Sequence, residues 1–451
     1  MTYPQVIRYL NSFADYEKNI NYPYQETFEL KRIQDFLAII GNPQDSLRVI
    51  HVAGTKGKGS TCAFAAYILR ELGFSVGLYT SPHLNDFRER IRILVPSLPR
   101  AQAGLAMTKG KVCDFEGMIS KEALSSLVNE LKPKINKYNC YSKHGQLSFF
   151  EVYTALAFLY FKRQQINFAV LETGLGGRLD ATNVVQSLVC GIASISLEHV
   201  QLLGHTLGKI AVEKAGIIKQ PGAIVISALQ AKPAQEVIRN RCKKFQAKLF
   251  EVGRQIKYSN SQGGLVIKGL KNDYKNLHLN LLGAHQAANA ALAVGLVEGL
   301  SFHGFHLKVS AIRRGLCNAV WPGRCEIVQR NPLIVLDGAQ NLASARVLKR
   351  TIRDKFKYKK LILVLGISAD KDIPGICKTL SPLADEIILT RARTSRAADP
   401  ARLAGYFKKK LYLTRSVKEA KLLARSLAAK NDLILVTGSL FVVGEFRDVG
   451  R

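Results

Sequence analysis

The sequence predicts an α/β protein of two domains, each built on a mostly parallel, doubly wound sheet. The chain has 451 residues, which is enough for at least two domains of ordinary size. Short β-branched segments alternate with helical stretches, the rhythm of strands joined by crossover helices. Hydrophobic residues make up 47% of the chain and charged residues 22%, which favours a globular protein with a substantial core.

The first domain is predicted over residues 1–305, and its fold is that of a phosphate-loop ATPase. Alternation around a Gly263–Gly264 turn, between Phe250 and Leu282, predicts a small antiparallel excursion. A helix from His285 to about Leu300 follows it, and residues Val95–Gly117, rich in Gly and Pro, predict a loop insertion. Predicted strands are Leu47–Ala53, Ser75–Tyr79, Asn167–Leu171, Val189–Ile195 and Ala223–Ile226.

The second domain is predicted over residues 306–451, with the boundary near Gly304–Ser310. Here the alternation of strands and helices starts again. Basic residues are dispersed through the predicted helices Ala345–Lys360 and Tyr406–Lys430. The predicted strands are Leu333–Leu336, Leu361–Leu365, Glu386–Thr390 and Leu433–Thr437.

The net charge of +31 is the unusual feature of the composition. It is compatible with a nucleic-acid partner, with anionic small-molecule substrates or with a solvated basic surface. The sequence has no basic tail or zinc knuckle, so we expect no nucleic-acid partner. No run of 18 apolar residues and no signal-peptide pattern is present, which predicts a cytoplasmic protein without a membrane partner. Eight cysteines without a CxxC pair predict reduced cysteines, most of them in the core.

A glycine-rich loop follows the first predicted strand and precedes a predicted helix at Thr61–Leu72. Such a loop can wrap backbone N–H groups around phosphate, with Lys58 as the point charge and Ser60 or Thr61 facing magnesium. The lysine precedes the last glycine, unlike the standard phosphate loop, and the alternative is a turn that only joins strand to helix. The loop consists of Gly54, Thr55, Lys56, Gly57, Lys58, Gly59 and Ser60.

Three further polar residues follow predicted strands: Ser81, Glu172 and His199. In a doubly wound sheet all three fall at the carboxyl edge, where ligands bind. Oxygen ligands from Ser81 and Glu172, completed by water or phosphate oxygens, suit Mg²⁺. The alternative for each residue taken singly is a solvated position in a loop.

Nine motif-like segments lie along most of the chain: His51–Ser60, Tyr79–Leu84, Phe149–Glu151, Leu171–Asn183, Glu213–Ile217, Gly283–Ala290, Trp321–Arg324, Leu336–Ala339 and Thr437–Phe441. In this order and spacing they resemble the folylpolyglutamate synthases and dihydrofolate synthases, relatives of the Mur peptidoglycan ligases. Together the segments are far more specific than any one alone.

The resemblance implies ATP as co-substrate and two Mg²⁺ ions, and it leaves open a monovalent cation. Ser81 and Glu172 would hold the magnesium that bridges the ATP phosphates. His199 and a carboxylated Lys214 would hold the second, so that Lys58, Glu172, His199 and Lys214 form the expected catalytic set. The remaining implied ATP contacts are Arg324 at the terminal phosphates, Asp337 at the ribose, and Gln286 and Asn289 at the adenine end.

Three positions depart from the family pattern. Lys56 stands where the family usually has Asn, Glu198 where it most often has Asp, and Gln340 where it has His. Lys56 adds a cation beside the phosphates, and Glu198 adds one methylene. Gln340 can form hydrogen bonds but cannot act as an acid or base.

The predicted reaction is the ATP-dependent addition of L-glutamate to dihydropteroate, reduced folates or both, through an acyl phosphate. Phe150, Asp180 and Ala181 resemble the dihydropteroate site of bacterial enzymes with both synthase activities, which favours a bifunctional enzyme. The alternative places Phe150 in the core and makes Asp180 the cap of a turn. We expect a monomer whose partners are small molecules.

Three other functions stay open. A Mur-type ligase for another carboxylate would need a domain for a nucleotide-linked substrate, for which the segment before Leu47 is too short. A nucleic-acid-dependent ATPase is favoured only by the charge. An inactive, ATP-binding regulator is favoured by Lys56, Glu198 and Gln340.

Overall fold

The protein has the predicted two-domain α/β fold, with two mostly parallel sheets and a small antiparallel one. The computed structural model describes residues 1–17, 29–96, 115–261 and 263–448. In the described residues the strands are β1 Val49–Ala53, β2 Val76–Tyr79, β3 Ile91–Leu94, β4 Phe168–Glu172, β5 Ser187–Ile192, β6 Ile224–Ser227, β7 Lys248–Glu251, β8 Lys257–Ser261, β9 Gly264–Lys268, β10 Asp273–Leu277, β11 Glu326–Arg330, β12 Leu333–Leu336, β13 Leu361–Leu365, β14 Glu386–Leu389, β15 Leu411–Leu413 and β16 Leu433–Thr437.

The α-helices of the same residues connect these strands and cover both faces of the large sheets. They are α1 Tyr3–Asn11, α2 Leu30–Ile39, α3 Lys58–Glu71, α4 Lys121–Tyr141, α5 Phe149–Arg163, α6 Val200–Leu203, α7 Leu207–Ala215, α8 Lys232–Lys244, α9 His285–Gly299, α10 Val309–Asn318, α11 Leu342–Lys355, α12 Ile373–Leu380, α13 Pro400–Ala404, α14 Val417–Leu427 and α15 Leu440–Asp448. None of the described helices is long and apolar enough to cross a membrane.

The first sheet has seven strands in the order β3-β2-β4-β1-β5-β6-β7. Only β3 runs antiparallel to its neighbour. Strand β1 is buried at all five positions, as expected for a central strand covered on both faces. Because β2, β4, β1 and β5 are adjacent and parallel, the loops that follow them meet at one edge of the sheet.

The second sheet has six strands in the order β11-β12-β16-β13-β14-β15. All neighbours are parallel except β11 and β12. The predicted strands Leu333–Leu336, Leu361–Leu365 and Leu433–Thr437 have the observed bounds. The edge strands β11 and β15 are partly exposed, and their short, mixed segments lack the apolar run that identified the central strands.

The predicted antiparallel excursion is the three-stranded sheet β10-β9-β8. Helix α9 packs beside it and is buried along most of its length. Helix α10, in the predicted second domain, packs instead on α3 of the first: a Cβ on Gly315 would lie 2.6 Å from the backbone nitrogen of Ile68. This packing favours a domain boundary between Asn318 and Glu326, later than the predicted one.

Two predicted helices are wrong in their extents. The segment Tyr406–Lys430 contains strand β15 and the shorter helix α14, and Ala345–Lys360 ends as a helix at Lys355. In both cases lysines and arginines continue past the end of the helix, so the sequence pattern does not show where the helix stops. The predicted helix at Thr61 begins three residues earlier, at Lys58. Most of the predicted loop insertion, residues 97–114, lies outside the described residues.

The described cysteines are all free. Most are buried, as predicted, but Cys140 and Cys317 are exposed. Cys113 lies outside the described residues. The buried ones are Cys62, Cys190, Cys242, Cys325 and Cys377.

Candidate active site

The phosphate loop is shaped by two glycines with positive φ. Gly54 has φ 153°, and a Cβ there would lie 2.7 Å from Cβ of Ala193. Gly57 has φ 85°, and a Cβ there would overlap the Oδ1 of Asn289. Side chains at either position would push the loop away from its neighbours. Because α3 starts at Lys58, the first-turn N–H groups of this helix face the end of the loop, where an anion is stabilised.

A second loop, the segment after β5, holds the phosphate loop in place. The backbone N–H groups of Thr55 and Lys56 both donate to the carbonyl of Ser194, at 2.9 and 3.0 Å. The Thr55 hydroxyl accepts from the N–H of Ser196 at 3.1 Å and donates to its carbonyl at 3.2 Å. The loop that carries His199 is therefore fixed to the loop predicted to hold phosphate.

Lys58, Glu172 and Ser81 come together at the edge of the first sheet. The Lys58 ammonium lies 3.9 Å from Oε1 of Glu172, and the N–H of Ser81 donates to Oε2 at 3.3 Å. Glu172 is 5% exposed. Burial raises its pKa, while Lys58, the Ser81 N–H and Arg324 act in the opposite direction. The carboxylate thus sits in a site that favours an additional positive charge.

The donor set at this edge fits magnesium. Glu172 and Ser81 supply oxygen donors, and Mg²⁺ is commonly held by one or two carboxylates together with water and phosphate oxygens. The hydroxyl of Thr61, in the first turn of α3, is buried and has no hydrogen-bond partner in the described part of the chain. Among the described residues no group of three or more His, Cys, Asp and Glu could enclose a metal.

The buried side chain of Lys214 contacts the phosphate loop. It lies on α7, is 5% exposed, and donates from Nζ to the carbonyl of Gly54 at 2.8 Å. Burial first, and then the nearby Lys58, lower the pKa of Lys214 to about 7. A large fraction of this amine is therefore neutral near pH 7, and a neutral amine can react with CO₂.

His199 precedes α6 in a left-handed conformation, with φ 51°. Although the residue is partly exposed to solvent, its pKa is lowered to about 4. Loss of hydration is the main cause, Glu198 opposes it, and Lys371, Lys214 and Lys58 act in the same direction as the loss of hydration. The ring is neutral at pH 7, as a metal ligand must be.

Two of the three departures from the family pattern are in direct contact. The Lys56 ammonium forms an ion pair with Oε1 of Glu198 at 2.5 Å. The pKa of Lys56 is lowered, because the effect of burial exceeds that of the ion pair. The pKa of Glu198 is also lowered, because the nearby cations, Lys56 above all, together outweigh the effect of burial. Asn341 of the second domain donates to the same Glu198 oxygen at 3.4 Å, and the third departure, Gln340, is its neighbour in sequence. Lys56 and Glu198 therefore form one group with Asn341 of the second domain, next in sequence to Gln340.

The second domain supplies three more residues beside the loop. The Trp321 indole covers Gly59, where a Cβ would lie 2.8 Å from Cζ2. Arg324 is close enough to lower the pKa of both Lys56 and Glu172. Asp337 uses its two oxygens to accept from the N–H groups of Cys325 and Ala339, each at 2.9 Å, and so orders the segment that carries Arg324.

Gln286 and Asn289 lie against the phosphate loop. Gln286 donates to the Ser60 hydroxyl at 3.4 Å, and Asn289 donates to Gln286 at 2.9 Å and abuts Gly57. These contacts are with the phosphate loop itself, and the role of both residues at the adenine end stays a prediction.

Three cations converge on the loop. Lys56, Lys58 and Arg324 lie close enough to shift the pKa of neighbouring site residues. Glu198 pairs with Lys56, and Glu172 pairs with Lys58. Fixed positive charge beside a helix N-terminus and a glycine-rich loop favours binding of a polyphosphate.

The predicted pterin residues have different environments. Phe150 is half-buried, its ring is 5.9 Å from that of Tyr79, and it fills the space where Gly174 lacks a side chain. Asp180 is buried and caps a short 3₁₀ helix, accepting from the N–H and hydroxyl of Thr182 and from the N–H of Leu175. This is the capping role of the alternative interpretation. Ala181 is 5% exposed.

Sequence reasoning missed the contacts of Asn341, Ser194 and Trp321. Asn341 caps α11 with Ser344 at the third helical position, a pattern that could have been read from the sequence. The other two contacts join segments far apart in the chain, and no local pattern indicates them.

The chain matches two family models, the Mur ligase middle domain over residues 121–297 and the Mur ligase, glutamate ligase domain over residues 323–440. The dihydrofolate synthase/folylpolyglutamate synthase of Bacillus subtilis is 34% identical over 427 residues, covering 93% of this chain and 94% of that protein.

Two solved structures share the whole fold. The folylpolyglutamate synthase of Mycobacterium tuberculosis complexed with ADP has a TM-score of 0.85 and 30% identity, covering 100% of this chain and 98% of that one. E. coli FolC in complex with DHPP and ADP has a TM-score of 0.81 and 28% identity, covering 98% and 97%. With its ordered motifs, its two sheets and the cationic loop between them, the chain belongs to the folylpolyglutamate synthase and dihydrofolate synthase family of ATP-dependent Mur ligases.

Proposed function

We propose that this enzyme uses ATP to join L-glutamate to a pteroate-type or folate-type carboxylate. The observation that carries the proposal is the convergence of Lys56, Lys58 and Arg324 on the phosphate loop, with Glu172 at the same sheet edge. The relatives' complexes with ADP support ATP as the phosphoryl donor. Magnesium, for which Glu172 and Ser81 supply suitable donors, would neutralise charge on the phosphates.

In the first half-reaction the acceptor carboxylate attacks the γ-phosphorus of ATP in line. The bond from that phosphorus to the β,γ-bridging oxygen breaks, ADP leaves and an acyl phosphate forms. Lys58 and Arg324 stand where they can stabilise the charge that develops on the transferred group. The first-turn N–H groups of α3 add a fixed dipole of the same sign. These groups are held by the fold before substrate arrives, so little reorganisation is needed during the step.

In the second half-reaction the α-amine of glutamate attacks the acyl carbon. The bond from this carbon to the phosphate oxygen breaks, inorganic phosphate leaves, and the nitrogen loses a proton as the amide forms. The chemistry needs little beyond positioning and protection from water. Asn341 and Trp321 of the second domain contact Glu198 and Gly59 of the first. These contacts are suited to hold the two domains together around the intermediate.

Carboxylation of Lys214 is part of the proposal. A carbamate on its amine would turn a buried cation into an acid beside the cations Lys58 and Lys56. With the neutral ring of His199, it would supply a second site for Mg²⁺. The low pKa of the amine supports this modification, because only the neutral amine attacks CO₂.

We propose both dihydropteroate and reduced folates as acceptors. The partly accessible ring of Phe150 supports this, since a flat pterin or aminobenzoyl group can stack on it. The capping role of Asp180 favours a second candidate, a folylpolyglutamate synthase without dihydropteroate activity, because the Asp180 oxygens are already engaged by protein donors.

The test is phosphate release from ATP by the purified protein, with L-glutamate and each acceptor in turn. Product masses would identify the amide. Activity with dihydropteroate and with tetrahydrofolate supports the bifunctional enzyme, and activity with tetrahydrofolate alone supports the second candidate. Phosphate release that depends on added nucleic acid, and not on the acceptor, would favour the nucleic-acid-dependent ATPase. Light scattering on the same sample tests the expected monomer.

A further inference from the structure

We propose that an arginine pocket in the second domain binds the carboxylates of the oligo-γ-glutamate tail of a folate acceptor. The arginine pocket is the cavity of about 390 Å³ lined by Arg391, Arg393, Thr394, Ser395, Arg415 and Ser416. The inference rests on the proposed function and extends it, because it identifies which part of the substrate this surface recognises.

The pocket lies at the edge of a parallel sheet where ligands bind. Arg391 and Arg393 belong to the loop after β14, and Arg415 belongs to the loop after β15. These two strands are parallel neighbours, so their carboxyl ends lie side by side. Crevices outside the carboxyl ends of such strands are the usual ligand sites of open α/β sheets.

The three guanidinium groups are free to bind an anion. All three arginines are exposed, and none of their side chains pairs with an acid anywhere in the described part of the chain. Two acids contact the same residues, but through the backbone: Glu445 accepts from the N–H of Arg393 at 2.6 Å, and Glu419 accepts from the N–H of Arg415 at 2.8 Å. Guanidinium groups bind carboxylates through paired hydrogen bonds, and several together match a ligand with several carboxylates.

The position of the pocket favours a chain of glutamates over a single one. Asp337 and Asn341, which belong to the phosphate site, follow β12. Three strand spacings of about 4.8 Å separate β12 from β14, so the pocket is roughly 14 Å away along the sheet edge. An incoming glutamate spans only about 5 Å from its amine to its side-chain carboxylate. It cannot place its amine at the phosphate site and a carboxylate in the pocket.

The same loop also touches the acceptor side of the first domain. Arg396 donates to the backbone carbonyl of Glu17 at 3.2 Å, and the Glu17 carboxylate pairs with Arg90. The Arg90 guanidinium lies 5.2 Å from the ring centre of Phe149, the neighbour of Phe150. The loop of Arg391 and Arg393 is therefore connected, through these contacts, to the start of helix α5, which carries Phe150.

The test compares acceptors that differ only in tail length. KM and kcat are measured by phosphate release for tetrahydropteroyl acceptors with one and with five glutamates. The variants are Arg391→Ala, Arg393→Ala, Arg415→Ala and the triple variant. Arg402→Ala, which removes an exposed arginine of the same domain outside the pocket, is the matched control. Thermal melting checks that each variant is folded, and Arg415→Lys keeps the charge without the paired donors.

The triple variant should raise KM for the pentaglutamate acceptor at least tenfold while KM for the monoglutamate acceptor and for L-glutamate stays within twofold. Equal effects on both acceptors, or none on either, would overturn the proposal. A rise in KM for L-glutamate that is independent of tail length would assign the pocket to the incoming amino acid and also overturn it. If the unmodified enzyme used neither acceptor, the proposed function would fail as well, and this outcome is distinct from a loss of length dependence alone.

Discussion

The carboxyl edges of the two large sheets carry positive charge in opposite ways. At the edge of the first sheet, Lys214 and Glu172 are nearly buried and their pKa values are shifted. At the edge of the second, Arg391, Arg393 and Arg415 are exposed. Buried charges act strongly on one another because water does not screen them, whereas exposed charges are screened by water and salt but stay accessible to a ligand. The first edge is thus built for bond-making chemistry and the second for capturing an anion.

The largest effect is expected at Lys58. Lys58→Ala should lower kcat about 1000-fold or more, because it removes a cation from the developing charge on the transferred phosphoryl group. Circular dichroism should not change, since the side chain contributes to the site and not to the core. Lys232→Ala, at an exposed position, is the control. A loss of turnover within about threefold, worth less than about 1 kcal/mol, would mean that Lys58 is not the phosphate lysine.

The second-largest effect on activity is expected at Lys214. Lys214→Ala should lower kcat roughly 100-fold, which is the size of effect seen when residues around a metal site are changed. Added acetate or another short carboxylate should restore part of the activity. Glu172→Gln should also lose activity, but without rescue, since Glu172 belongs to the proposed site of the first magnesium ion. Mass spectrometry of the native enzyme with and without bicarbonate measures the modification. An unmodified amine in an active enzyme with two bound metals would contradict the proposal.

A smaller effect is expected for the pair of departures, Lys56 and Glu198. Because both side chains are partly exposed, their coupling should be about 1 kcal/mol or less, or at most about fivefold in kcat/KM. The measurement is a double-mutant cycle with Lys56→Asn, Glu198→Asp and the double variant. The double variant should be more active than the product of the single effects predicts. Additive effects would show that the two residues act independently.

The pterin residues should separate into one substrate contact and one structural cap. Phe150→Ala should raise KM for dihydropteroate while KM for ATP stays unchanged, because we propose that the ring stacks on the acceptor. Asp180→Ala should instead lower the melting temperature by a few degrees, since loss of an N-cap costs about 1 kcal/mol. If Asp180→Ala left stability unchanged and impaired only dihydropteroate use, the predicted pterin role would hold and the capping role would be secondary.

Much of the first edge could be predicted from the sequence, because its parts are local. The phosphate loop and Glu172 each follow a buried apolar strand, so their common edge follows from the topology of a parallel sheet. The ion pair of Lys56 with Glu198 joins residues 142 positions apart and could not be predicted. The arginine pocket was missed for a related reason: strand β15, only three residues long, lay within a basic segment that reads as helix.

The most direct test of the central claim, an acyl phosphate made at the first edge, follows oxygen atoms. An acceptor with ¹⁸O at both oxygens of its reacting carboxylate is incubated with ATP and L-glutamate, and the inorganic phosphate is analysed by mass spectrometry. If an acyl phosphate forms, each molecule of phosphate released should contain one ¹⁸O atom from the acceptor. Phosphate without ¹⁸O, formed while the amide accumulates, would contradict it.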